Sequence, residues 1–439
     1  MKRAVTAAVV VVLAGLTVAA PVHAATAPNR IKATATGLYD TVTKAPFLPR
    51  GANFVRLTQD GDSAPGVGYH SAFEPGRYSG EEAQSVLDGL HFASGYNTVR
   101  VFIDTGDGHF RHGLDVAPLA DDGLNQLYMA NVADFVNRAA TDGIYVLPAM
   151  SAFPVSPYYM NIMSTTDHGQ APNGGGNNLW FMDPGAIAAK KAYLANFVHD
   201  LDQRVGDNRS AVLAYQLENE AFWEADQAPF ATKSGTFTGP DGRSYDMSNP
   251  DQRQQAADNS MNFWADAGVA GVHQSDPDAM TTVGFFTNYA VGKPGYDGFA
   301  NTSGWYPGRP SSVADHTGVD FIDLHAYPDN TTDRLASILG SDEVDKISKP
   351  YLLGEFGTLK TVYGNNITAA AYGMRDRQIE SCTVRDKVGN GAVGWLFWTY
   401  DTDVVNPDLS SMGLFYSLAD NGGAINGTLA TVVRDNPCQ

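Results

Sequence analysis

The chain has 439 residues, with 48 Asp and Glu against 29 Lys and Arg and a formal charge of −19. That balance lacks the clustered cations that neutralise phosphates, so it excludes a nucleic-acid partner and disfavours an anionic membrane surface. Hydrophobic residues at 43% and charged residues at only 18% support a packed core and exclude an acidic disordered chain.

Taken in chain order, the sequence opens with Lys2 and Arg3, an apolar run from Ala4 to Ala20, and Pro21-Val22-His23-Ala24. This is the layout of a secretory signal peptide, and the run is shorter than the ~20 residues a spanning helix needs. The expectation is a leader over residues 1–24 and a secreted, extracellular body over 25–439, monomeric and free of the membrane once the leader is cleaved. After residue 30 there is no Pro, Ser or Gly tract that would separate modules, so one domain is expected.

What recurs along that body is a short β-branched run, a loop and a longer helical pattern. Strands are predicted over Phe47–Leu57, Asn97–Asp104, Ile144–Ser151, Val212–Glu220, Met280–Asn288, Val319–Tyr327, Pro350–Gly357 and Ala392–Tyr400. Helices are predicted over Gly80–Ser94, Leu124–Asp142, Ile187–Arg204, Gln252–Gln274 and Thr368–Lys387. Alternation of this kind implies a parallel sheet with crossover helices, and eight strands imply closure into a (β/α)8 TIM barrel, an α/β fold. An open doubly wound sheet is the competing architecture and would want a phosphate loop. Gly389, Gly391 and Gly394 do spell G-x-G-x-x-G, but they precede the last strand, whereas a dinucleotide fingerprint follows a strand and opens a helix.

The loops after strands three, four and five (Ala152–Gly185, Ala221–Pro250 and Tyr289–Ser312) are far longer than such turns need. They leave the C-terminal ends of strands, the barrel face that bears active sites. They carry Tyr158, Tyr159, Trp180, Phe181, Trp223, Trp305 and Tyr306, which either stack on sugar faces or pack the loops.

Strand periodicity sorts side chains into barrel-facing and helix-facing sets. In the sixth run Ile322, Leu324 and Ala326 share one face, so Phe321, Asp323, His325 and Tyr327 look inward. In the second, Arg100 and Asp104 point inward. In the fourth, Gln216, Glu218 and Glu220 do so at rising height, with Glu220 at the rim and Glu218 deeper, a candidate for a structural ion pair. A second carboxylate, Glu355, ends the seventh strand. Strands four and seven lie across the barrel, so Glu220 and Glu355 can face one substrate. Two opposed carboxylates under an aromatic-lined cleft are what glycosidic hydrolysis requires, one protonating the leaving oxygen and the other attacking the anomeric carbon.

Asn219-Glu220 after an apolar strand, His325-Ala-Tyr327 on a later one, Gly354-Glu355-Phe356-Gly357 after that and Trp398 on the last resemble clan A of the glycoside hydrolases, most closely the family 5 cellulases and mannanases. The resemblance covers about residues 45 to 400 and implies a retaining glycosidase with Glu220 as acid/base and Glu355 as nucleophile. It further implies that Asn219 contacts the sugar 2-hydroxyl, that Arg100 and Tyr327 hold Glu355 ionised by lowering its pKa, that His325 hydrogen-bonds within the site, and that Trp398 floors the subsite of the distorted sugar. Two positions depart from the family pattern. Ala221 stands where Pro usually follows the acid/base, and the third strand, ending Leu147-Pro-Ala-Met-Ser151, lacks the usual His.

The substrate implied is a β-mannan or β-glucan type polysaccharide or oligosaccharide, bound by these residues with Trp180, Trp223 and Trp305. An exo-acting or transglycosylating relative and a catalytically silent glycan-binding barrel are the rivals. No metal or cofactor is expected: His109 and His112 with Asp104 and Asp107 lack a third soft ligand, and Asp401 with Asp403 falls short of a calcium shell. Cys382 and Cys438 are the two cysteines, and an exported chain permits one disulfide between them.

Overall fold

The computed structural model describes residues 27–55, 72–93, 95–104, 113–151, 153–166, 176–287, 305–327, 339, 341–364, 366–383, 391–400 and 415–418. Eight parallel strands close into a barrel: β1 (Arg50–Phe54), β2 (Thr98–Phe102), β3 (Tyr145–Ala149), β4 (Tyr215–Gln216), β5 (Thr281–Phe286), β6 (Phe321–Ala326), β7 (Tyr351–Phe356) and β8 (Trp395–Tyr400), each paired with the next and β8 with β1. The crossover helices include α1 (Gly80–Asp88), α2 (Gln126–Asp142), α3 (Pro184–Val205), α4 (Pro250–His273), α5 (Pro310–His316) and α6 (Ile367–Thr383). The closed barrel and every predicted strand and helix are present, and the open-sheet alternative is set aside. Among the described residues no helix is long and apolar enough to cross a membrane.

Capping explains where the helices begin. Asn125 accepts from the amides of Leu127 and Tyr128 at the start of α2, and Gly143 ends that helix in the left-handed region at φ 72°. Helices α3 and α4 start earlier than hydrophobic periodicity alone suggests, because Asp183-Pro184 and Asn249-Pro250 supply an N-cap followed by proline at the first helical position.

Inside the barrel the side chains stack in three layers. At the N-terminal end Tyr145, Leu147, Phe321, Leu352 and Leu396 form an apolar layer that Ile31 and Leu38 join from below. Those two belong to a small antiparallel sheet (Ile31–Ala33, Leu38–Asp40, Pro46–Phe47) that covers this end. The middle layer is polar: Asn53, Arg100, Gln216 and Asp323 are fully buried there. The upper layer holds Val55, Phe102, Ala149, Phe286, Tyr327, Trp398 and Phe415, with the candidate catalytic groups beside them. Helix-facing Val99, Val101, Ile103, Tyr215, Leu217, Ile322, Leu324 and Ala326 belong to the main core outside the barrel, as alternation predicts.

Two strands break that alternation, and both breaks matter to the site. The paired part of β4 is only two residues long, where periodicity predicts a strand to Glu220. Leu217 N still bonds Thr282 O, but then Gly284 N takes Glu218 O and Ala221 N takes Gly284 O, so β4 feeds two extra residues past β5. In β7 the register against β6 slips after Leu324, which pairs with Leu353 while His325 pairs with Glu355. Gly354 is the extra residue. Such bulges re-aim a side chain at the cost of one regular pair.

Candidate active site

Because Leu352 faces into the barrel, strict alternation would send Glu355 outward; the slip at Gly354 turns it in. Only glycine admits the arrangement, since a Cβ at 354 would stand 2.0 Å from Asp323 Oδ1, which accepts the Gly354 amide at 2.6 Å. On β4 the extra residues turn both Asn219 and Glu220 toward the cleft, which alternation forbids for neighbours. Here too glycine is the device: a Cβ on Gly284 would stand 1.8 Å from the Asn219 carbonyl oxygen.

Arg100 is the hub. Fully buried on β2, its guanidinium donates to Glu355 Oε1 at 2.8 Å, Asn53 Oδ1 at 2.6 Å, Gln216 Oε1 at 2.8 Å and Asn219 Oδ1 at 2.5 Å. Charge-assisted bonds of this kind are strong and directional, and one rigid fork sets the positions of two strand ends. Tyr327 Oη donates to the other carboxyl oxygen, Glu355 Oε2, at 2.5 Å. Gln216 in turn donates to Asp323 Oδ2 at 2.5 Å, so the middle layer buttresses the upper one.

His325 sits between the two carboxylates, with Nδ1 2.9 Å from Glu220 Oε1 and 3.3 Å from Glu355 Oε2, and Nε2 3.5 Å from Asp323 Oδ2. Burial disfavours its charged form, yet Glu355, Asp323 and Glu220 outweigh burial and raise its pKa to about 9. The imidazolium therefore screens two acids from each other. Glu355 corrects an expectation. Burial pushes its carboxyl above the ordinary range, against His325, Arg100 and the Tyr327 hydrogen bond, which all favour the ionised form. Arg100 and Tyr327 limit the rise and do not produce a net lowering.

One oxygen of Glu220, one of Glu355 and a nitrogen of His325 lie within 4.8 Å of one another. Two carboxylates and an imidazole are also a donor set for a divalent ion, but Arg100 and Tyr327 already occupy both Glu355 oxygens and the imidazole faces both acids, so an ion would have to displace these bonds.

Beside Glu220 a cavity of about 190 Å³ opens, lined by Phe153, Trp180, Lys190, Glu218, Phe222 and others. Trp180 stacks on Phe153 at 4.0 Å and 12° and forms its aromatic wall. Trp398 lies in the upper layer, edge-on to Phe102 at 5.9 Å. Trp223, expected to bind substrate, is instead 1% exposed, with edge contacts to Phe181 and Phe230. It packs the loop, as does Tyr159, whereas Phe181 is buried but lines the cavity. Trp305 pairs through its backbone with Glu224, and its side chain is not among those described. Asp104 lies past the end of β2, where its backbone amide donates to the Tyr128 hydroxyl of α2. Glu218 does face a cation, Lys190 at 4.0 Å, but it lines the same cavity as Glu220 and is not a layer below it. His109, His112, Asp107, Asp401, Asp403, Cys438 and residues 1–24, the expected leader, lie outside the described residues, as does the side chain of Cys382 on α6. Asn53 and Lys190 were not singled out from sequence. Asn53 has a signal, a lone polar residue within an apolar strand, whereas Lys190 on an amphipathic helix has none.

No family model and no curated protein matches the sequence. Solved structures do match. An exo-β-1,4-mannosidase from an Opitutaceae bacterium superposes with a TM-score of 0.57 at 18% identity, over 92% of this chain and 61% of its own. A GH5_18 enzyme from Bifidobacterium longum in complex with Manb1-4GlcNAc gives 0.54 at 16% identity, over 90% and 78%. An endo-β-1,4-mannanase from Thermotoga petrophila gives 0.52 at 17%, over 89% and 76%. This chain has their fold. It spans about three fifths of the length of the Opitutaceae mannosidase.

Proposed function

We propose that this protein is a retaining β-glycosidase of the family 5 type that cleaves β-mannosidic linkages of a polysaccharide or oligosaccharide. The observation that carries the reading is the pair Glu220 and Glu355, with oxygens within 4.8 Å across the barrel mouth. Retaining enzymes hold their carboxyl groups about 5–5.5 Å apart, whereas inverting ones need about 6.5–9.5 Å to admit a water. The β-mannosidic substrate is favoured over a β-glucan because the mannosidase and mannanase named above share the fold.

In the first step Glu355 attacks the anomeric carbon as the bond to the leaving oxygen breaks, and Glu220 gives that oxygen its proton. In the second, Glu220 takes a proton from water, the water oxygen attacks the same carbon, and Glu355 leaves as carboxylate. Each step inverts, so the product retains its configuration. On this reading Arg100 and Tyr327 aim Glu355, Asn219 meets the 2-hydroxyl, and Trp398 floors the cleaved sugar. We further propose one catalytic domain over residues 25–439, exported after removal of the leader.

The test is a panel of mannan, glucomannan, cellulose and aryl β-glycosides, with product size and anomeric configuration followed by NMR. Retained β-mannose products support the reading. Binding without turnover on every member would establish the silent-barrel alternative, and turnover confined to glucans would reassign the sugar.

A further inference from the structure

Three consecutive residues, Glu218, Asn219 and Glu220, are each held by a different cation. Asn219 meets Arg100 and Glu220 meets His325, both within the barrel. Glu218 is held from outside it. Its Oε1 accepts the Asn219 amide at 3.0 Å, and its Oε2 faces the Lys190 ammonium at 4.0 Å. Lys190 comes from α3, is 2% exposed, and donates to the Met150 carbonyl, just past the end of β3, at 2.6 Å. An ammonium in such a place is costly: burial lowers its pKa to about 8, with the Glu218 charge opposing. An apolar side chain of the same length would fill the space without that penalty. The cation is therefore poor evidence of stability and better evidence of a constraint on what it touches.

What it touches is the irregular stretch of β4. That stretch has lost its regular ladder and keeps two backbone bonds to Gly284, so its shape depends on side-chain ties. Glu218 is the tie that reaches outside the barrel, and Lys190 links Glu218 to the neighbouring strand through Met150. We propose that Lys190 is a positioning residue for the general acid, holding through Glu218 the bulge that aims Glu220 at the leaving oxygen. This rests on the reading of Glu220 as acid/base. The placement fits the task, because Lys190, Glu218 and Glu220 line one cavity on the acid's side of the cleft, where the departing group must lie.

A mispositioned acid harms only substrates that need protonation. The experiment is therefore kcat/KM of Lys190→Met across aryl β-glycosides of the sugar the parent enzyme turns over, from dinitrophenyl to unsubstituted phenyl, with melting temperature in parallel. The dinitrophenyl substrate should stay within about threefold of the parent and the phenyl substrate should slow by about 10- to 100-fold, steepening the leaving-group dependence. A uniform loss across the series, or no loss at all, overturns the proposal. If Lys190→Met does not fold, Glu218→Gln, which keeps an acceptor for the Asn219 amide but not the charge facing Lys190, should steepen the same plot to a smaller degree; an unchanged slope overturns the proposal. Glu220→Ala in the same series separates the two readings: if it lacks the steep dependence, the acid/base assignment itself fails.

Discussion

Replacing Gly284 by alanine is the sharpest perturbation of the candidate catalytic segment that changes none of its own residues. The new Cβ would stand 1.8 Å from the Asn219 carbonyl oxygen and 2.7 Å from Gln216 Nε2. A carbon and an oxygen in ordinary contact sit beyond about 3 Å, so more than about 1 Å must be found. The obstacle is backbone, so the residues that move are 218–220 against β5, and Asn219 and Glu220 go with them. Misplacement on this scale costs about 100-fold in rate, and overpacking of this kind about 1–3 kcal/mol in stability. The assay is kcat/KM on an unactivated substrate, with thermal unfolding in parallel. Gly37→Ala is the control, because a Cβ there meets nothing within 4 Å. A folded Gly284→Ala variant with parental kcat/KM would refute the claim that this close approach sets the aim of Glu220.

Glu220→Ala should slow poor leaving groups by orders of magnitude, spare activated aryl glycosides, and be rescued by azide; Glu355→Ala should abolish turnover on every substrate, and a 2-deoxy-2-fluoro glycoside should label Glu355 and not Glu218. Because Glu355 is raised, the acid limb of kcat/KM should lie above the ordinary carboxylate range, and Arg100→Met should move it higher still. His325 keeps its proton to about pH 9 when folded against about 6.5 when free, so its share of stability is full below 6.5 and is lost as pH rises to 9; the melting temperature should fall across that window, and His325→Gln should flatten the fall. For the Cys382–Cys438 pair, closing a loop of 55 residues should contribute roughly 3–4.5 kcal/mol. Titration of the unfolded, unreduced protein should find no free thiol, and two would disprove the bond.

The barrel was legible because each strand is a short β-branched run and each helix has a long amphipathic one. Alternation alone placed Arg100, Gln216, Asp323 and His325 correctly. It failed where the strand stopped alternating: it gave no reason for Asn219 and Glu220 to share a face or for Glu355 to turn inward; Asn219 came only through the family resemblance, and Glu355 through its place at a strand end. Isolated glycines inside strand patterns, Gly284 and Gly354, were the available signal of a bulge or close approach. Trp223 misled because a loop aromatic is equally suited to packing. Lys190 stayed hidden because a lysine on an amphipathic helix reads as surface until the fold sets it against Met150 and Glu218.

The small sheet beneath the barrel has a consequence for the order of folding. Ile31 and Leu38 share their apolar cluster with Tyr145, Leu213, Met280, Phe321, Leu352 and Leu396, residues spread across nearly the whole chain. Arg30 likewise pairs with Asp276 at 2.8 Å, and Asn29 O accepts from Tyr145 Oη at 2.5 Å. The segment thus meets its full set of partners only once the last barrel strand exists. Contacts of such sequence separation form late because loop-closure entropy must be met first. Chains halted before β8 would present Ile31 and Leu38 without their full set of neighbours, leaving an apolar face open at this end of an unfinished barrel.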